Sequence, residues 1–196
     1  MTDAALAGAS VESLFERSGA LLEGHFLLKS GRHAGRYLEK FLVLQHPRIG
    51  VELCRRFAEV LAPYDPTLVV GPTTGGVLLS FETASQLGGS VRAAFAEPAE
   101  GGGRALRRGW PIAPDERVVL VDDILTTGAS LVETIEAVRA AGAEPVAAAV
   151  LVDRSTEALD LGMPLHAVGR IEIPSWEADA CPLCADGLPV RKPGSS

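Results

Sequence analysis

The sequence predicts a single α/β domain in which helices cover both faces of a mostly parallel β-sheet. Short apolar segments alternate with helical segments through the middle of the chain, a pattern typical of parallel sheets. The 196 residues suffice for one substantial core, because a domain of this size buries roughly 70% of the surface of its unfolded chain. We therefore expect one domain over residues 1–196, with its core at about 47–173 and peripheral structure at about 10–45 and 174–196.

The N-terminal segment predicts a helix followed by two short strands. The helix begins behind Ser10, a good N-cap, and ends at Gly24. Its inner face is defined by residues near helical spacing, namely Val11, Leu14, Phe15, Ser18, Leu21 and Leu22. The stretch HFLLKSGRHAGRYLE predicts two strands around a turn at residues 30–32, and Pro47 opens a helix that runs to about Leu61.

The middle of the chain predicts the sheet and the helices that cover it. The expected order is strand 67–71, helix 75–88, strand 91–97, strand 117–123, helix 130–142 and strand 145–154, with a further strand within 165–173. The connection 97–116 is rich in glycine and charge, which favours a mobile loop. Proline and glycine occur throughout the tail from Pro174, so we expect the tail to be irregular.

The bulk composition excludes several classes of partner and location. The net charge of -7 gives no general attraction to nucleic acid or to an anionic membrane, and no basic helix is evident. No apolar run approaches the roughly 20 residues that span a bilayer. The N-terminus lacks the charged start and apolar centre of a signal peptide, so we expect a cytoplasmic protein.

The cysteines and histidines carry no predicted chemistry. Cys54, Cys181 and Cys184 are an odd number, and without an export signal we expect them to be thiols. The C-x-x-C pair supplies half of a four-ligand zinc site, and no second pair or close histidine is evident in the sequence. A redox role is less favoured still, because the pair lies outside any predicted strand-to-helix turn. We expect hydrogen-bonded structural roles for the histidines, which are His25, His33, His46 and His166.

The segment VVLVDDILTTGAS is the strongest chemical signal in the chain. The apolar strand 118–121 delivers Asp122 and Asp123 to the carboxyl edge of the sheet, where we expect them to be exposed. Residues 126–130 are small and open a helix, so their N–H groups and hydroxyls can surround a phosphate. Either half alone is common as a cap or a turn. Together they predict acids for sugar hydroxyls beside a phosphate site.

This segment resembles the PRPP (phosphoribosyl pyrophosphate) motif of the type I phosphoribosyltransferases. The resemblance implies their fold, a parallel sheet flanked by helices with a small hood built from the N-terminal segment and the C-terminal tail. It implies that the acids hold the ribose 2- and 3-hydroxyls and that the loop binds the 5-phosphate. The implied PRPP-binding residues are Asp122, Asp123, Ile124, Leu125, Thr126, Thr127, Gly128, Ala129 and Ser130. It also implies Mg²⁺ carried by PRPP, with no direct protein ligand.

A second loop, at residues 71–76, also lies between a strand and a helix. In the family the corresponding loop meets pyrophosphate through backbone amides, which here implicates Thr73, Thr74 and Gly75. Taken alone, the loop is more often an ordinary turn. Many related enzymes carry a lysine where this chain has Gly75, so backbone contacts must do more here.

Three further segments resemble the orotate phosphoribosyltransferases within this family. FLLKSGR is similar to their hood strand, which implies that Lys29 reaches the base and pyrophosphate, and that Tyr37 and Leu38 pack on the orotate ring. Arg154 matches the arginine that pairs with the orotate carboxylate, and Thr126 is the neighbour expected to touch the ring. The alternative for Arg154 is a surface ion pair with its neighbour Asp153. The tail, with its C-x-x-C pair, is similar to that of one bacterial and archaeal branch.

The resemblance also implies a homodimer. In the family the mobile loop completes the partner's active site, so the loop at 97–109 is expected to reach the partner and to supply Arg107 or Arg108 to catalysis. The implied catalytic residues are Lys29, Asp122, Asp123, Arg107 and Arg108. The implied reaction converts orotate and PRPP to orotidine 5-monophosphate and pyrophosphate, in pyrimidine (UMP) synthesis. Two alternatives stay open: transfer to another base such as a purine, and a PRPP-sensing regulator without catalysis.

Overall fold

The structure, a computed structural model, describes residues 3–28 and 30–193. The strands are β1 (Leu21–Leu27), β2 (His33–Leu38), β3 (Leu68–Pro72), β4 (Arg92–Pro98), β5 (Arg104–Ala105), β6 (Val118–Leu125), β7 (Pro145–Asp153), β8 (Leu165–Ala167) and β9 (Ser175–Trp176). The α-helices are α1 (Asp3–Ala7), α2 (Val11–Arg17), α3 (Lys40–Leu44), α4 (Pro47–Leu61), α5 (Gly75–Leu87), α6 (Ala129–Ala140) and α7 (Pro182–Ala185). Short 3-10 turns follow α4 and precede α7.

The predicted sheet is confirmed as six strands in the order β5-β4-β3-β6-β7-β8. Neighbouring strands from β4 to β8 are parallel, and only β5 runs antiparallel to its neighbour β4. Helices cover both faces, because alternate residues of β6 enter different cores. Val119 and Val121 pack with α2, α4 and α5, whereas Leu120 packs with α6. The carboxyl ends of β3, β6 and β7 therefore form a firmly supported edge.

The N-terminal helix is shorter than the sequence predicts. Ser10 caps α2 as expected, since its side chain accepts a hydrogen bond from the N–H of Ser13. The helix ends at Arg17 rather than at Gly24, because Gly19 at φ 70° stops it and Ala20 N–H donates to Phe15 O. Leu21 and Leu22 therefore begin β1, and their helical spacing is coincidental. The helix predicted from Pro47 to Leu61 is confirmed.

Part of the connection 97–116 is ordered as a β-hairpin. Glu97 pairs with Ala105, and β5 lies antiparallel to β4. Three consecutive glycines at 101–103 make the turn with positive φ angles. The Trp110 ring then packs edge-on against Phe95, with 5.6 Å between ring centroids. Strand pairing and an aromatic contact thus give part of the connection regular structure, and its mobility stays a prediction.

The tail is also more regular than its proline and glycine content suggests. β9 pairs with β2 to complete a three-stranded antiparallel sheet in the order β1-β2-β9, which we call the hood sheet. Beyond α7, the N–H of Arg191 donates to His25 O, and Leu27 N–H donates to Arg191 O, both at 2.8 Å. The tail is thus held along both edges of the β1–β2 hairpin. Within the described residues, no helix is long and apolar enough to cross a membrane.

This packing overturns one prediction about the cysteines. Cys181 and Cys184 do have close histidines, because the tail lies against β1 and β2, which carry His25 and His33. The four ligand atoms lie within 4.8 Å of one another. These histidines are distant along the chain and close in space. The expected thiol state of the three cysteines agrees with the structure.

Candidate functional site

The acid pair lies at the carboxyl end of β6, as predicted, but it is buried rather than exposed. Asp122 is 7% and Asp123 3% exposed. Each carboxylate accepts a hydrogen bond from the next backbone N–H: Asp123 N–H donates to Asp122, and Ile124 N–H to Asp123, both at 2.8 Å. These bonds fix the side chains at the edge of the sheet. Two buried neighbouring carboxylates require a compensating cation or several donors.

Lys40, at the start of α3, supplies part of that compensation. Its Nζ lies 3.0 Å from Oδ1 and 2.8 Å from Oδ2 of Asp123. Burial, followed by the charge of Asp123, raises the pKa of Asp122 to about 7, and the charges of Lys40 and Arg104 oppose that rise. Burial therefore favours the neutral form of Asp122. The sequence analysis did not identify Lys40.

The loop after the acids is arranged as an anion site. Thr126 and Thr127 are exposed, and α6 begins behind Gly128, which has no side chain to cap the helix. The first N–H groups of α6 can therefore bind an anion, with the helix dipole favouring negative charge. Gly128 has φ 78°, and a Cβ there would lie 2.2 Å from a methyl carbon of Leu159. The Leu125 side chain is in the core, so only its backbone can face a ligand.

The second loop approaches the acids closely. A Cβ on Gly75 would lie 2.3 Å from Oδ2 of Asp123, so the glycine leaves room for the Asp123 carboxylate. Thr73 and Thr74 are joined by a cis peptide bond, and Thr74 is exposed at the start of α5. The two predicted loops therefore meet at one edge of the sheet.

Arginines of the hairpin divide between the site and the surface. Nη1 of Arg104 lies 3.3 Å from both the carbonyl oxygen and Oγ1 of Thr73, and its Nε lies 3.3 Å from a Glu133 carboxylate oxygen. Arg107 is exposed, and Arg108 is also exposed and donates to Glu97 at 2.9 Å. The sequence analysis favoured Arg107 and Arg108. In this chain it is Arg104 that reaches the second loop.

Arg154 and Tyr37, two of the predicted base-binding residues, come from the core and from the hood and influence each other's charge. Arg154 N–H donates to Leu125 O at 2.9 Å, which places Arg154 beside the end of β6. Burial lowers the pKa of Arg154 and raises that of Tyr37, and each group's charge favours the other's charged form. The Asp153 carboxylate accepts hydrogen bonds from the N–H and the hydroxyl of Ser155, at 2.8 and 2.6 Å. Among the described residues, it forms no ion pair with Arg154.

Tyr37, Leu38 and Lys29 are the hood residues predicted to contact the base. The Tyr37 ring lies 5.7 Å from the ring of Phe26, between centroids. Leu38 is 4% exposed and packs in the core, so its predicted contact with a base stays a prediction. Lys29 lies outside the described residues. The edge thus combines two acids, an anion loop and an arginine suited to a planar carboxylate.

Comparison with known proteins places this edge in a family context. The phosphoribosyl transferase domain family matches residues 43–178. An orotate phosphoribosyltransferase of Pelotomaculum thermopropionicum is 46% identical over 185 residues, which cover 94% of this chain and 96% of that protein. The orotate phosphoribosyltransferase of Thermotoga maritima is 40% identical, with coverages of 94% and 97%.

Solved structures agree with this relation. The orotate phosphoribosyltransferase of Mycobacterium tuberculosis H37Rv, in complex with Fe(III) dicitrate, superposes with a TM-score of 0.70 at 26% identity and covers 86% of this chain and 96% of its own. The enzyme of the same name from Aeropyrum pernix gives a TM-score of 0.63 at 28% identity, with coverages of 81% and 92%.

Proposed function

We propose that this chain, which belongs to the phosphoribosyltransferase family and within it to the orotate phosphoribosyltransferases, joins orotate to PRPP to form orotidine 5-monophosphate and pyrophosphate. The reaction is a step of UMP synthesis. The observation that carries the proposal is that the buried acid pair, the loop 126–130 and Arg154 share one edge of the sheet.

The acid pair holds the ribose, and the loop behind it holds the 5-phosphate. Asp122 and Asp123 accept hydrogen bonds from the ribose 2- and 3-hydroxyls, and the N–H groups and hydroxyls of residues 126–130 surround the phosphate. As pyrophosphate departs, the anomeric carbon gains positive charge, which nearby carboxylates stabilise. Lys40 holds Asp123 in position. No covalent nucleophile on the protein is required.

The leaving pyrophosphate is received by the second loop. Backbone amides of Thr74 and Gly75 bind its oxygens, whereas the N–H of Thr73 donates to Ala96 O at 2.9 Å, and Arg104 adds a positive charge beside Thr73. This supports a division of labour in which Arg104 takes the place of the loop lysine of many relatives. A lysine side chain at Gly75 has no room beside Asp123.

Orotate is recognised by groups from both the core and the hood. The guanidinium of Arg154 forms a two-pronged contact with the carboxylate that distinguishes orotate from uracil and purines. Tyr37 covers the ring, Thr126 touches it at the loop, Leu38 supports the hood from the core, and Lys29 reaches the base and the pyrophosphate.

We also propose that the substrate enters with Mg²⁺. The residues fit such an ion, because Asp122 and Asp123 present hard carboxylate oxygens that burial leaves short of compensation. They would face an ion that PRPP carries, without forming a dedicated protein cage. When bound, Mg²⁺ neutralises charge on the departing pyrophosphate. The chain's own residues position the sugar and the base.

The test of the reaction is a panel of bases. The protein is mixed with Mg²⁺, PRPP and orotate, uracil, hypoxanthine or adenine, and the ultraviolet absorbance of each base is followed. Orotate alone should be consumed, with release of pyrophosphate. Consumption of a purine with orotate unchanged would assign another base. PRPP binding without consumption of any base would indicate a regulator.

The protein is proposed to act as a homodimer in which the loop at 97–109 serves the partner's site. Support comes from Arg107 and Arg108, which are exposed in an otherwise acidic chain. A closing loop would exclude water and place positive charge against pyrophosphate. The single-domain organisation over 1–196 and the cytoplasmic location also stay proposals from the sequence.

Mixing two inactive variants tests this arrangement. The Arg107/Arg108 double alanine variant is mixed with Asp123→Asn, and subunit exchange is confirmed independently. With random exchange about half of the dimers are mixed, and each has one intact site, so about a quarter of wild-type activity should return. Confirmed exchange without recovery would mean that the loop serves its own chain or that these arginines do not act in catalysis.

A further inference from the structure

Four potential metal ligands from distant parts of the chain converge between the hood sheet and the tail. His25 lies on β1, His33 on β2, and Cys181 and Cys184 lie at the start and within α7. Nε2 of His25 lies 2.8 Å from Nδ1 of His33, 3.5 Å from Sγ of Cys181 and 3.7 Å from Sγ of Cys184. Sγ of Cys184 lies 3.3 Å from Nδ1 of His33.

The three sulfur–nitrogen separations, at 3.3 to 3.7 Å, match those of a tetrahedral zinc site, whereas the 2.8 Å between the two imidazole nitrogens is about 0.5 Å shorter and would widen around an ion. Bonds of about 2.0 Å to nitrogen and about 2.3 Å to sulfur place neighbouring ligand atoms about 3.3 to 3.8 Å apart. A network of ordinary hydrogen bonds explains the arrangement less well. The lone pair on Nε2 of His25 can accept one good hydrogen bond, yet three polar atoms lie around it. Convergence of that kind is expected around a shared cation.

A further contact orients His25 as a ligand. Its other ring nitrogen, Nδ1, lies 2.8 Å from the carbonyl oxygen of Leu188. Because a carbonyl can only accept, Nδ1 carries the proton, and the lone pair of Nε2 points into the cluster. Zinc-binding histidines are held in this way by a backbone carbonyl or carboxylate behind the ring.

Burial distinguishes this cluster from a chance surface grouping. His25 is 3%, His33 8% and Cys181 4% exposed, whereas Cys184 is exposed at one side. Thiolate sulfur with imidazole nitrogen is a ligand set that selects zinc over Mg²⁺ or Ca²⁺. Four protein ligands leave no open position, which indicates a structural ion rather than a catalytic one.

We propose that His25, His33, Cys181 and Cys184 form a structural zinc site that fastens the tail to the hood sheet. The tail has little core of its own, since α7 has four residues and β9 two. An ion bound by β1, β2 and α7 holds these pieces in one arrangement, as metals do in small units with few apolar contacts. The site is separate from the acid pair and does not depend on the proposed reaction.

The test measures metal directly on the tag-free, full-length protein, kept reduced so that the two thiols cannot form a disulfide. We expect about one zinc ion per chain after expression in zinc-containing medium. After chelation, cobalt should bind in the same ratio and give the visible absorption of a tetrahedral ion with a near-ultraviolet thiolate band. Cys184→Ser and His33→Gln should each lose this spectrum, whereas Cys54→Ala, which changes the thiol outside the cluster, should retain it.

Each outcome decides the proposal. Absence of zinc together with failure of the reduced wild-type protein to bind cobalt would overturn it. An unchanged cobalt spectrum in His33→Gln would show that His33 is not a ligand and would overturn the four-ligand site. Cys184→Ser should fold, because Cys184 is exposed. If His33→Gln fails to fold, the cobalt spectrum of the wild-type protein still decides the proposal.

Discussion

The two sides of the active-site edge are built differently. On the core side, residues of β3, β6 and β7 are buried on both faces, and Val69, Val119 and Leu151 are 0% exposed. On the hood side, the strands of a three-stranded sheet mix buried residues with partly or fully exposed ones, and the third strand has only two residues. The core side presents the acids and the phosphate loop, and the hood side presents Tyr37.

This difference indicates that the acid pair and Tyr37 rest on supports of unequal strength, whereas Arg154, which we propose selects orotate, follows β7 on the core side. Asp122 and Asp123, which we propose hold charge at the reacting carbon, extend from a strand whose movement would disrupt the main core. Tyr37, which we propose covers the base, extends from a sheet held by backbone pairing beside the cluster of His25, His33, Cys181 and Cys184. A loosely held hood can open for substrate while the acid pair keeps its geometry.

The largest expected contrast is in amide exchange. After zinc is removed with a chelator, amides of β1 should exchange roughly a thousandfold faster than those of β6, because local opening of the hood sheet should require about 4 kcal/mol less than opening of the core. Hydrogen–deuterium exchange with mass spectrometry measures both segments at once. Equal protection of β1 and β6 would show that the hood sheet is no less stable than the core.

Next in size is the effect of neutralising the acid pair. Asp123→Asn or Asp122→Asn should reduce turnover about a hundredfold, since loss of one electrostatic contact with the transition state costs about 3 kcal/mol. Steady-state kinetics and a thermal melt of each variant separate catalysis from folding. The exposed acid of Asp115→Asn serves as a control. Near-normal turnover in both variants would reduce the pair to a structural cap.

A smaller, selective effect is expected at the base. Arg154→Lys should raise the KM for orotate about tenfold and leave the KM for PRPP nearly unchanged, because a point charge cannot reproduce a two-pronged contact. Initial rates with each substrate varied in turn give both constants. Arg170→Lys, at an exposed arginine, is the matched control. Equal changes in both constants would place Arg154 outside the base pocket.

The smallest effect concerns stability and pH. The pKa of Asp122 is raised to about 7, so folding favours its neutral form. Its contribution to stability is therefore complete below the unfolded pKa, about 4, and is lost as the pH rises to about 7. The melting temperature of Asp122→Asn should consequently exceed that of the wild type by roughly 5 °C at pH 8 and match it near pH 4. A constant difference across this range would contradict the linkage.

The parts of the site that were predictable lie in continuous segments. The run from Val118 to Ser130 contains a strand, two acids and a helix start in order, so local pattern alone places them at one edge. Arg154 follows the next strand, and parallel pairing puts it beside Leu125. In both cases the geometry follows from neighbours along the chain or from regular sheet pairing.

The parts that were missed depend on contacts between distant segments. Lys40 reaches Asp123 across 83 positions, and His25 reaches Cys184 across 159. Neither approach follows from periodicity, because the first depends on how the N-terminal segment folds over the core and the second on how the tail packs against β1 and β2. A signal for the cluster did exist: two histidines on the paired strands of a hairpin, together with a C-x-x-C pair, complete a ligand set. The histidines were sought near the cysteines along the chain, whereas they lie near them only in space.

Gly75 has a consequence for protein engineering. Its missing Cβ lets the loop after β3 nest against Asp123, so the two positions can only change together. Replacing Gly75 with the lysine of related enzymes would add a positive charge but push the Asp123 carboxylate out of position. Thr74 is exposed, one residue earlier in the same loop. A lysine introduced in place of Thr74 could extend into solvent without moving the Asp123 carboxylate.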